Sequence, residues 1–208
     1  MADLAAFQAW LRDAAATLRD ESGHLTDLDR AIGDGDHGTN MARGFTASAE
    51  LAEGEQFASI DTYLKKVGMT LVSTVGGAAG PLYGTFFLRL AGPLSATQEV
   101  TARRFGQAFH AGVDGVVARG KAAVGDKTMY DAFAPALAAY EQASLAGADL
   151  RACLQSAADA AEVGRDSTEP LVARKGRASY LGERSVGHLD PGATSTAMLL
   201  RSAARTLG

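Results

Sequence analysis

Apolar residues recur at helical spacing along almost the whole chain. Leu4, Phe7, Trp10, Leu11, Ala14, Ala15 and Leu18 define one face, and Asp3 stands where an N-cap would. The pattern predicts a short helix over Leu25–Ile32, broken at Gly33-Asp34-Gly35-Asp36-His37-Gly38, and another over Asn40–Leu51. Ile60, Leu64, Val67, Leu71 and Val72 mark the next, which Gly76-Gly77 stops. Pro81 suits the first turn of a helix carrying Phe86, Phe87 and Leu90. Phe105, Phe109, Val113, Val116 and Val117 line a further face. Met129–Ala143, Asp149–Val163 and Thr194–Leu207 then complete about eight helices, or nine if the short second one stands alone. Only Ala178–Leu181 alternates, weakly, like a strand.

Composition strengthens the all-helical reading. Of the 208 residues 42 are alanine, the best helix former and a poor strand former. The length fits a single domain over residues 1–208. With 47% hydrophobic and 21% charged residues the chain is neither disordered nor fibrous. A net charge of −4 offers no general footprint for nucleic acid or anionic lipid. One cysteine, Cys153, excludes an internal disulfide and a cysteine-clustered zinc site. No apolar run approaches the roughly 20 residues that cross a bilayer, so the expectation is a cytoplasmic protein with no membrane partner.

The 24 glycines change the picture, because glycine weakens a helix interior. Many fall in four stretches, 33–38, 76–80, 120–125 and 176–192, which are expected to be loops. A bundle could gather several at one end, where backbone amides can approach a ligand.

The first of these stretches follows Asp29 and holds Asp34 and Asp36, three carboxylates within eight residues. Such groups repel one another unless protonated or joined by a cation, and oxygen ligands select Mg²⁺ or Ca²⁺. An EF-hand fails here, because its twelfth position would be Phe45. Magnesium, which shares its shell with substrate phosphates, points to a nucleotide; a solvated acidic turn is the alternative. Gly33, Gly35 and Gly38 match G-x-G-x-x-G, but no hydrophobic strand precedes them and bare carboxylates would repel a pyrophosphate.

Gly76-Gly77-Ala78-Ala79-Gly80-Pro81 leads into a helix, and reads either as a phosphate cradle or as a tight helical turn. Gly120 to Thr128 nearly matches a P-loop, with Asp126 inserted before Lys127-Thr128 and no strand leading in. The alternative is that Gly125-Asp126-Lys127-Thr128 caps the helix from Met129. Arg174–Thr194 is rich in cations and glycine, and about twenty residues is long for an idle loop.

Four blocks carry a family resemblance: Leu25 to Met41, Gly76-Gly77-Ala78, Gly125-Asp126-Lys127-Thr128-Met129, and Lys175 to Ser185 with Gly187-His188 and Asp190-Pro191-Gly192-Ala193-Thr194-Ser195. In order and over nearly the whole chain, they resemble the nucleotide-binding L subunits of dihydroxyacetone kinases. The resemblance implies an antiparallel barrel of eight helices with the nucleotide at one end. It implies two Mg²⁺ ions held by Asp29, Asp34 and Asp36. His37, Gly38, Thr39, Asn40, Ala78, Ala79, Gly120, Met129, Arg177, Asp190, Pro191 and Gly192 would surround ADP or ATP, with Arg177 as the catalytic residue. The implied partners are a dihydroxyacetone-binding K subunit and a phosphohistidine M subunit as donor, with a homodimer also open. Alternatives are an ATP-exchanging kinase subunit for another short ketose, or a regulator that docks on a transcription activator. Where the family often has serine, this chain has Ala79, so one hydroxyl contact to phosphate is absent.

Overall fold

The computed structural model describes residues 1–208 and is built from helices. In chain order these are α1 (Leu4–Asp20), α2 (Ser22–Ile32), α3 (His37–Gly54), α4 (Ile60–Thr74), α5 (Ala79–Ala91), α6 (Ala102–Gly120), α7 (Met129–Leu145), α8 (Leu150–Asp166) and α9 (Pro191–Thr206). Two 3₁₀ segments, Gly92–Leu94 and Arg177–Ser185, lie between them. No helix is long and apolar enough to cross a membrane.

The apolar faces close into a ring. Each long helix packs on the next from α3 through α9, and α1 touches both α3 and α9, while the short α2 lies outside against α3 and α9. The eight long helices form the barrel and α2 is the ninth. Phe7, Trp10, Phe86, Phe87, Phe105, Phe109, Phe133 and Tyr140 fill its interior with less than 2% exposure. Phe86 stacks on Phe133 at 4.9 Å and meets Phe87 and Phe109 edge-on. The buried Trp10 indole donates to the Leu199 carbonyl at 3.0 Å, fixing α1 on α9. Asp3 caps α1 through the Ala6 amide, as expected.

The weakly alternating Ala178–Leu181 forms 3₁₀ helix, turned at Gly182, and the β-like pairing observed is one bridge between Ala2 and Val100. Two expectations change. Helices α3 and α9 begin three residues earlier than the apolar pattern indicates, at His37 and Pro191, because their first turns face the cleft rather than the core. Glycine, too, is not mainly a loop residue. A Cβ on Gly68 would stand 2.8 Å from the Gly84 carbonyl, and one on Gly84 as close to that of Gly68, so this pair lets α4 and α5 touch along their backbones.

Candidate active site

At one end of the ring, α3, α5, α7 and α9 begin while α4 and α6 finish, the alternation of antiparallel neighbours. Between them opens a cleft of about 420 Å³. Four helix N-termini therefore face one space with the positive ends of their dipoles, although side chains already cap some of their amides, among them those of His37, Tyr130 and Ala193.

Opposite them stands the carboxylate loop. Asp29, on the last turn of α2, is only 9% exposed. Its Oδ2 accepts from the Asp36 and His37 amides at 2.8 and 3.1 Å. These bonds fold residues 33–36 back so that one oxygen each of Asp29, Asp34 and Asp36 lies within 4.8 Å of the others. A Cβ at Gly33 would collide with Asp29 Oδ1, so a side chain there is excluded. Hard oxygens at this spacing fit Mg²⁺, whose ligands lie about 2.0–2.1 Å from the ion.

Thirteen of the fifteen residues expected at the site line this cleft: Asp29, Asp34, Asp36, His37, Asn40, Ala78, Ala79, Gly120, Met129, Arg177, Asp190, Pro191 and Gly192. Gly38 and Thr39 do not. Gly38 is buried against α2, where a Cβ would stand 2.0 Å from the Ser22 carbonyl, and Thr39 Oγ1 turns outward to donate to the Asp36 carbonyl. Arg177 reaches across the mouth, its Nε 2.8 Å from Asp34 Oδ2, with 70% of the side chain exposed.

His37 is not turned to the ligand space through its ring alone: Nε2 meets Ser195 Oγ at 2.9 Å, and Ser195 in turn meets Tyr83. Burial lowers the imidazole pKa against the pull of Asp29 and Asp36. Burial also raises Asp190 to about 7, while its carboxylate caps α9 through the Ala193 amide at 2.7 Å.

Sequence reasoning missed the apolar wall of Leu82, Val116 and Tyr130 beside Met129, because on the chain these read as ordinary core-face residues. It also left Lys127 open. Thr128 caps α7, and Asp131 accepts from the Thr128 amide at 2.8 Å, a reciprocal capping box. Lys127 lines the back of the cleft, but its Nζ is taken up by main-chain carbonyls of the protein.

Fold and cleft together describe an all-helical barrel whose mouth is lined by helix N-termini and three clustered carboxylates. Comparison with known proteins gives the family. The DAK2 domain model matches residues 31–205. Over 192 residues the chain is 47% identical to the PEP-dependent dihydroxyacetone kinase ADP-binding subunit DhaL of Escherichia coli K12, covering 92% of this chain and 91% of that one. It is 38% identical to human triokinase/FMN cyclase over 92% of its own length, but spans only 33% of that protein. The dihydroxyacetone kinase of C. freundii superposes with TM-score 0.73 at 29% identity, over 96% of this chain and 34% of that one. The same enzyme in complex with AMP-PNP and Mg²⁺ gives 0.71 at 28% identity, over 95% and 33%. The chain belongs to the DAK2-domain family.

Proposed function

We propose that residues 1–208 act as one domain, the nucleotide-binding subunit of a PEP-dependent dihydroxyacetone kinase. It holds ADP or ATP with Mg²⁺ in the mouth cleft and presents the terminal phosphate to dihydroxyacetone on a separate K subunit. A phosphohistidine M subunit is the donor. The observation that carries this reading is the meeting of three carboxylates, four helix N-termini and Arg177 in one cleft.

Each group has a task. Asp29, Asp34 and Asp36 would hold the metal; a bound Mg²⁺ supplies charge that neutralises phosphate oxygens. Backbone amides at the start of α5, with that of Gly192 at the start of α9, would offer hydrogen bonds that need no hydroxyl, which answers the alanine at position 79. Leu82, Val116 and Met129 form an apolar slot suited to a flat base. Arg177, at the exposed rim beside Asp34, would meet charge that develops during transfer. His37, Lys127 and Thr128 of the lining are engaged with protein groups, which supports a contribution by positioning and electrostatics, as phosphoryl transfer needs.

Native mass spectrometry of the purified chain should show retained ADP with Mg²⁺, and reports in the same spectrum whether the chain pairs with itself. Alone, the chain should not phosphorylate dihydroxyacetone; with a K subunit and an M-type phosphoprotein it should. Similarity to triokinase and to the AMP-PNP-bound kinase favours a second reading, an ATP-exchanging subunit. Many turnovers with K subunit and ATP alone would establish that reading. Ketone kinase activity from the single chain would overturn the subunit assignment.

A further inference from the structure

Lys127 is the most deeply buried charged residue of the protein, 1% exposed, and its backbone sits in the left-handed region at φ +63°. A non-glycine residue held there is over-determined by its surroundings. Its Nζ donates to four main-chain carbonyls: His188 at 2.6 Å, Ser185 at 2.7 Å, Leu171 at 3.1 Å and Glu169 at 3.4 Å. An ammonium has three N–H donors, so the longest contact is shared.

The four acceptors fall in two groups, one on each leg of a single excursion of the chain. Residues 169–173 enter it and residues 185–188 leave it. The legs are joined by Gly187 N–H donating to the Glu169 carbonyl at 2.8 Å and by the Ala173 amide donating to Ser185 Oγ at 2.9 Å. The stretch between them carries Arg177 to Asp34. Without a cation beneath, four carbonyl dipoles would converge on one point and repel.

We propose that Lys127 is a positioning residue, a tethered cation that clasps both legs of the 169–188 strap and thereby holds Arg177 over the cleft, rather than a ligand of phosphate. Burial lowers the lysine pKa and the carboxylates of Asp190 and Glu169 oppose this. The proposal rests on the nucleotide reading only for the role of Arg177; the clasp itself is a property of the free chain.

The test is made on the full chain without nucleotide. In Lys127→Ala, amide hydrogen exchange over residues 173–187 should quicken about tenfold or more, with the interiors of α1 and α5 unchanged. Ethylammonium, which returns three N–H donors to the vacated space, should restore protection. Tetramethylammonium at equal ionic strength, with charge but no donor, should not. In a reconstituted complex ethylammonium should likewise recover transfer by Lys127→Ala and do nothing for Arg177→Ala. Unchanged exchange in the strap, a loss of protection spread evenly through the core, or equal rescue by both cations would each overturn the clasp. Should the variant fail to fold, wild type supplies the measurement through ¹⁵N-lysine NMR. The Lys127 ammonium protons should exchange slowly with ADP and Mg²⁺ absent; protection gained only on adding them would mark a phosphate ligand and overturn the proposal.

Discussion

The two sides of the cleft are held by opposite means. The carboxylate loop is four residues between α2 and α3, tied by a side chain from its own neighbourhood, Asp29, which accepts two amides. The strap facing it is long, with Tyr180 87% exposed; its legs are held by Lys127 from more than forty residues away, and Ala178 and Leu181 rest on Ile32 of α2. A short loop with local bonds gives a floor that is ready before ligand arrives. A long strap clasped at its legs, with only a small apolar contact on α2 between them, gives a rim whose position depends on contacts across the mouth. Ground-state affinity should therefore reside in the floor, and the rate of transfer in the strap.

The largest effect should come from the floor. Asp34→Asn or Asp36→Asn is expected to abolish nucleotide binding with the helical fold intact; calorimetry showing wild-type affinity would break the comparison at once. The two variants should differ without ligand. Asp36 has no cation beside it, so its neutralisation should raise the apo melting temperature, whereas Asp34→Asn forfeits the Arg177 pair and should not. Next, Arg177→Ala should slow transfer in a reconstituted complex by about ten- to a hundredfold while changing affinity only a few-fold. Equal losses in both would place Arg177 with the floor.

Asp190 supplies a pH test. In the unfolded chain it ionises near the ordinary aspartate value, about 4, whereas burial holds it protonated in the fold to about 7. Across that window the folded state keeps the extra proton, so its contribution to stability is present below about pH 4 and is lost as pH rises to 7. Wild type should accordingly lose ground to Asp190→Asn between those limits, by an amount of order a few kcal/mol in urea titrations. A constant difference would contradict the assignment. The smallest effect is expected from Thr128→Ala, which removes the α7 cap at a cost of about 1 kcal/mol in thermal unfolding and should leave nucleotide affinity within a few-fold.

What was legible in the sequence follows from the range of the interactions. Helical faces announce themselves because Phe7, Trp10 and Leu11, or Phe86 and Phe87, repeat at the period of one element. Asp29, Asp34 and Asp36 were visible together because their meeting is set by one local turn. The clasp was not. Its acceptors are main-chain carbonyls, which every residue has, and nothing in the side chains of Glu169, Leu171, Ser185 or His188 marks them as partners of Lys127. The Gly125–Thr128 block could be recognised as special, yet its P-loop look points the lysine at phosphate, whereas the fold commits its ammonium to main-chain carbonyls. The seam between α1 and α9 was equally hidden, since a ring's closure depends on the sum of every crossing angle before it.

That seam has a consequence for synthesis. Residues 190–206 supply both the partner for Trp10 and the N-terminal turn with Asp190, Pro191 and Gly192 that walls the cleft. A chain still emerging from the ribosome can stack α3 to α8 in order, but it keeps the Trp10 edge of the aromatic cluster uncovered until this stretch is free. Closing the barrel and completing the mouth are then a single late event, and a nascent chain halted before α9 would present an apolar flank and half a site.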